Sequence, residues 1–95
     1  MNSTDLPTDR ERALAAALIA ARATRQRLAP EPDPKYDVAA SYRVARHVLD
    51  WRVARGERPI GRKLGFTNRG IWPEYGVTAP MWAHMYESTV QRLTT

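Results

Sequence analysis

In the run "PIGRKLGF", Pro59 to Phe66, a lysine stands between two glycines. A lysine flanked in this way can hold a positive charge over bare backbone, where the carboxylate of a small acid can approach closely. Burial would lower the pKa of Lys63 and suit it to acid or base work. The plainer role is an exposed lysine that guards a sheet edge against wrong pairing. Spacing alone leaves both roles open.

The other reactive side chains form no comparable arrangement. His47 and His84 are the only histidines and lie far apart in sequence. Each reads as a solvent-facing or hydrogen-bonded residue rather than a metal ligand. Asp9 and Glu11 fall at a helix start, Glu31 and Asp33 lie among prolines, and Glu74 and Glu87 stand apart, so no pair has spacing for a divalent ion. Ser41 and Ser88 have no visible base. The sequence has no cysteine, which excludes disulfides, thiolate metal sites and a cysteine nucleophile. Trp72, Tyr75, Trp82 and Tyr86, with Arg62, Lys63 and Arg69 nearby, could stack on bases. Such a cluster more often serves as core or interface.

The elements that must position Lys63 can be read from local signals. Thr8 and Glu11 in "TDRE" form a capping box for a helix over about Asp9 to Arg27, with a stripe of Leu14, Leu18, Ala21, Arg25 and Leu28. Residues 1–7 read as a polar tail. Pro30, Pro32 and Pro34 end the helix in a linker over residues 29–36. Asp37 caps a second helix over about Val38 to Arg55, expected to turn Val38, Tyr42, Ala45, Val48 or Leu49, and Val53 inward; Gly56 is its left-handed C-cap. From Pro59 the chain reads as a strand, with Ile60, Arg62, Leu64 and Phe66 on one face and Gly61, Lys63 and Gly65 on the other. Thr67 or Asn68 then caps a short helix, and "APMWAHMYESTVQRL" has strand character without clean alternation. The expected fold class is α+β: two N-terminal helices, a strand, a short helix and the start of an unfinished sheet, a partial fold.

At 95 residues the chain has room for one small domain. The formal net charge is +5, from 15 basic and 10 acidic residues, which permits acidic ligands or nucleic acid. The arginines are interleaved with acids and alanines, which is the pattern of a solvated helix face. No run reaches the length of a membrane span. The stretch "ALAAALIAA" is too alanine-rich, and too soon followed by Arg22 and Arg25, for a signal peptide. The expected location is the cytoplasm, with no membrane contact.

The stretch "ARGERPIGRKLGFTNRGIWPEYGV" resembles the N-terminal region of the 2-keto-4-pentenoate hydratase and 4-oxalocrotonate decarboxylase group, in the fumarylacetoacetate hydrolase superfamily. The family pieces are a basic helix end, here Arg52–Glu57, a glycine-lysine-glycine strand, here Gly61–Gly65, and a turn, here Phe66–Asn68. "YDVAASYRVARHVLDWRVA" is similar to the preceding family helix. The resemblance covers Asp37 to about Val90, and more loosely the first helix. It implies that Lys63 is catalytic, acting on a small 2-oxo or 2-hydroxy-dienoic acid as charge partner or acid/base group. Two positions depart from the pattern: Arg62 stands where an aromatic residue is common, and Met81 stands where the family often has an acid. The resemblance also implies Mg²⁺ or Mn²⁺ held by carboxylates further on in a C-terminal domain, with no cofactor bound by this chain. The chain is thus expected to be the N-terminal domain of a hydratase-like protein without its metal-binding domain. Such a piece is expected to be inactive alone, whereas the complete enzyme would be a homo-oligomer in aromatic-compound catabolism. No nucleic-acid partner is expected. The alternative is a free-standing basic domain that binds nucleic acid or another protein.

Overall fold

The computed structural model describes residues 7–29 and 37–93. The tail over residues 1–6 and most of the proline-rich linker lie outside the described residues. The elements are α1 (Asp9–Thr24), α2 (Val38–Ala54), β1 (Pro59–Gly65), a 3₁₀ turn (Arg69–Ile71), α3 (Trp72–Tyr75), β2 (Met81–Tyr86) and a second 3₁₀ turn (Glu87–Thr89). This is the mixed α+β, partial arrangement expected from the sequence. The chain divides into two compact units, residues 1–54 and 55–95.

The first unit contains α1 packed on α2. Thr8 caps α1 as anticipated: its Oγ1 accepts from the Glu11 backbone N–H at 3.1 Å, and the Glu11 carboxylate accepts from the Thr8 N–H at 2.9 Å. The helix stops at Thr24, short of Arg27, because Arg25 turns left-handed with φ 56°. The Gln26 N–H then donates back to the Ala21 carbonyl at 3.0 Å, which closes the helix end. Asp37 caps α2, its Oδ1 accepting from the Ala40 N–H at 2.8 Å.

The buried apolar residues of this helix pair are Ala15, Ala40 and Val44, all small. The inward faces therefore match those expected only in part: Leu14, Ala21, Tyr42, Val48 and Leu49 are half-buried, but other expected positions are not. Leu18 is 42% exposed, Val38 58% and Val53 46%. The fully buried positions of the pair thus carry small side chains, which take little room between two packed helices.

Glu11 provides a polar contact across this pair. It is buried, and its two carboxylate oxygens accept from the Arg43 Nε at 2.9 and 3.0 Å. The bond from Arg43 holds the Glu11 carboxyl below the ordinary glutamate value, against the opposing effect of burial.

In the second unit β1 and β2 form a two-stranded antiparallel sheet. Its register pairs Gly61 with Met85, Arg62 with His84, Lys63 with Ala83, Leu64 with Trp82 and Gly65 with Met81. An irregularity between Pro59 and Gly61 leaves Ile60 as an extra residue on β1. β2 alternates cleanly from exposed Met81 to buried Tyr86, contrary to expectation. The alternation is obscured in the sequence because the strand ends at Tyr86 and a 3₁₀ turn follows directly.

Phe66 does not extend the face of Leu64, since its φ is 53°. A bulky residue in this region is strained. The turn is held by the Trp72 indole N–H, which donates to the Phe66 carbonyl at 2.7 Å, and by Phe66 packing edge-on against Tyr75 at 5.6 Å. Asn68 caps the following turn, its Oδ1 accepting from the Gly70 N–H at 3.0 Å. Among the described residues no helix is long and apolar enough to cross a membrane.

Two stability measurements check these contacts. Because the folded-state pKa of Glu11 is depressed, its contribution is complete above the ordinary value of 4.5 and is lost as pH falls through the lower folded value. Glu11→Gln should lower stability by about 1–3 kcal/mol at neutral pH, and its melting temperature should fall less steeply in acid than that of the parent chain. A parallel acid dependence in both proteins would contradict this. Trp72→Phe, followed by thermal denaturation, should cost about 1 kcal/mol through loss of the indole donor.

Candidate functional site

β1 and β2 place Lys63 at the centre of one sheet face. In an antiparallel pair, residues opposite each other project to the same side. Lys63 therefore shares its face with Gly61 and Gly65 on its own strand, and with Met81, Ala83 and Met85 on β2. Ala83 is directly opposite. Lys63 is exposed, and its ammonium has no hydrogen-bond or ion-pair partner among the described residues.

Among the described residues neither glycine meets a steric or positive-φ requirement. A Cβ built at Gly61 or Gly65 would meet nothing within 4 Å, and neither residue has positive φ. Glycine inside a strand costs about 0.5–1 kcal/mol relative to alanine. Both positions leave the backbone beside Lys63 without a covering side chain.

The reverse face is engaged differently. The Arg62 guanidinium carbon sits 4.5 Å from the centre of the Trp82 ring, and His84 meets the same ring edge-on at 5.2 Å. Arg62 and His84 are thus directed away from Lys63, so the structure does not combine lysine and histidine in one site. His47 lies half-buried on α2, in the other unit. Trp72 and Tyr75 support the Phe66 turn, and Arg69 lies 5.7 Å from the Trp72 ring.

Sequence reasoning missed three contacts of this unit. Arg62 stacks on Trp82, Ala83 stands across from Lys63, and the Ser88 hydroxyl donates to Glu57 Oε1 at 2.7 Å. The last joins the segments on either side of the sheet, as does the Glu87 N–H donating to the Arg58 carbonyl at 2.9 Å. An open depression of about 490 Å³ lies nearby, lined by Arg58, Ile60, Glu87, Val90 and Arg92, and does not include Lys63. Among the described residues no group of three or more His, Asp or Glu side chains could hold a metal ion. The described carboxylates thus do not fit the divalent cation that the resemblance implies.

No protein-family model and no solved structure matches the chain. It is 34% identical over 82 residues to a 2-keto-4-pentenoate hydratase of Paraburkholderia phymatum, a match covering 84% of this chain and 31% of that protein. It is 32% identical over 77 residues to a 2-keto-4-pentenoate hydratase of Burkholderia vietnamiensis, covering 79% and 29%. A 2-hydroxypent-2,4-dienoate hydratase of Pseudomonas putida is 28% identical over 75 residues, covering 77% and 34%. None of these names supports the alternative of a free-standing basic binding domain. The chain spans about a third of the length of the curated relatives it matches, and by that likeness it is a relative of the 2-keto-4-pentenoate hydratase group.

Proposed function

We propose that this chain supplies the lysine-bearing part of a hydratase-like active site, with Lys63 as its catalytic residue. The reaction is addition of water to a 2-hydroxy-dienoic acid, or decarboxylation of a related 2-oxo diacid. Both pass through an enolate, so one positioned cation serves either. The observation that carries the reading is the conjunction at β1: an exposed ammonium without a partner among the described residues, between two glycines that those residues do not require on steric or positive-φ grounds. The hydratase names of the relatives support it.

In this reading the Lys63 ammonium pairs with the negative charge of the acid, first on the carboxylate and then on the 2-oxo oxygen as the enolate forms. A donor fixed where charge develops lowers the barrier more than one that must reorganise. Gly61 and Gly65 allow the planar substrate to lie near the strand. Mg²⁺ or Mn²⁺ would polarise the 2-oxo group when bound, and its carboxylate ligands would come from outside the residues described here.

The test restores a complete enzyme. Residues 1–95 are fused to the C-terminal part of the Paraburkholderia phymatum hydratase, and loss of 2-hydroxypenta-2,4-dienoate absorbance is followed with Mg²⁺ or Mn²⁺. In an active fusion, Lys63→Met should reduce turnover by about 10²–10⁴-fold while shifting stability by no more than about 0.5 kcal/mol. Arg62→Ala, on the reverse face, should keep turnover while losing about 0.5–1 kcal/mol of stability with its stacking on Trp82. Near-parent turnover in Lys63→Met would remove the catalytic assignment.

A further inference from the structure

We infer that Ala83 is a specificity-determining residue: with Gly61 and Gly65 it leaves a shelf around Lys63 for a flat, unsaturated carboxylic acid, while Met81 and Met85 pack on the acid's apolar part. This deepens the hydratase reading and rests on it. The argument comes from the register. Lys63 has five neighbours on its face of the sheet: Gly61, Gly65, Ala83, Met81 and Met85. Three of them carry no side chain beyond a β-carbon. The two that do are thioethers on β2, on either side of Ala83, and they are 38% and 36% exposed.

Each feature favours a planar organic anion over other occupants. The unpartnered ammonium selects negative charge. The missing side chains admit a thin molecule close to the backbone but give nothing to grip a bulky one. Methionine is flexible and polarizable, so it can settle against a conjugated chain. Among the described residues of the two strands no carboxylate shares this face, since the β2 neighbours flanking Ala83 are both methionine. The Lys63 charge is therefore left for the ligand rather than neutralised by a neighbouring side chain. Residues directly opposite in such a pair have β-carbons about 4.5–5.5 Å apart. A branched side chain at position 83 would consequently occupy the space immediately beside the Lys63 stem.

The test uses the full 95-residue chain with hexa-2,4-dienoate as the planar anion and hexa-2,4-dien-1-ol as its neutral counterpart. Binding is read from the methyl resonances of Met81 and Met85 and from the backbone amides of β1 and β2. The dienoate should shift both methyl signals saturably, and the alcohol should do so far more weakly. Ala83→Val should weaken dienoate binding at least about tenfold, by filling the space across from Lys63. Valine favours strands, so its amide spectrum should show β1 and β2 still paired, separating occlusion from unfolding. Ala83→Gly should bind at least as well as the parent. Unchanged affinity in Ala83→Val, or no saturable methyl shift in the parent chain, would overturn the shelf. If Ala83→Val binds normally while Lys63→Met does not, the shelf is wrong and the lysine assignment survives. If Lys63→Met binds as the parent does, the charge has no part in recognition and the shelf as described here falls. The turnover of the Lys63→Met fusion then judges the hydratase reading separately.

Discussion

The surroundings of Lys63 depend on one constraint, the antiparallel pairing that sets it across from Ala83. Side chains in a strand alternate with a period of two, so a slip of one residue would exchange the two faces of β2. Lys63 would then meet Trp82 or His84 and lie among aromatic rings. Instead the rings gather on the reverse face with Arg62. The same pairing that buries Tyr86 and half-buries Trp82 and His84 leaves the Lys63 face to glycine, alanine and methionine. Removing bulk from one side and adding it to the other is how this small sheet specifies its register.

The helical unit meets a different difficulty with a different contact. Its buried apolar side chains are Ala15, Ala40 and Val44, which remove little surface from water. Glu11 lies buried beside them, and a buried carboxylate is stabilising only if its charge and lone pairs are satisfied. The Thr8 N–H and the Arg43 guanidinium supply those bonds. A residue placed by the rules of helix initiation is thus also the electrostatic tie between α1 and α2. Losing its carboxylate would leave Arg43 without that acceptor and the Thr8 N–H without its half of the capping box, while Thr8 would still cap α1.

Local features were legible in the sequence because local rules determine them. The Thr8 capping box, the Asp37 cap, the cap at Asn68 (one of two candidates with Thr67), the left-handed Gly56 and the Gly61–Gly65 strand all follow from neighbours within a few residues. The inward helix faces were legible only in part: Leu14, Tyr42, Val48 and Leu49 are half-buried as expected, but the fully buried positions went to Ala15, Ala40 and Val44 while Leu18 and Val38 stayed exposed. The Glu11–Arg43 bond joins residues on two helices and has no local signal. The partner of Lys63 was hidden for a similar reason. A tight two-residue hairpin fixes register from its turn, but here a 3₁₀ turn and α3 separate β1 from β2. Phe66 departed from the strand alternation because the Trp72 indole, six residues on, holds its carbonyl in a left-handed turn.

The most direct measurement of this account is the register itself. The sequence contains no cysteine, so paired substitutions report a single cross-link. Facing positions of an antiparallel pair have α-carbons about 4.5–5.5 Å apart, within the range a disulfide spans. Lys63→Cys combined with Ala83→Cys should oxidise readily to an intramolecular disulfide in the folded chain. Lys63→Cys combined with Trp82→Cys, or with His84→Cys, should not, because those side chains project from the reverse face. Preferential closure of either of these latter pairs would place Lys63 among the aromatic residues and contradict the open, anion-accepting face on which the account rests.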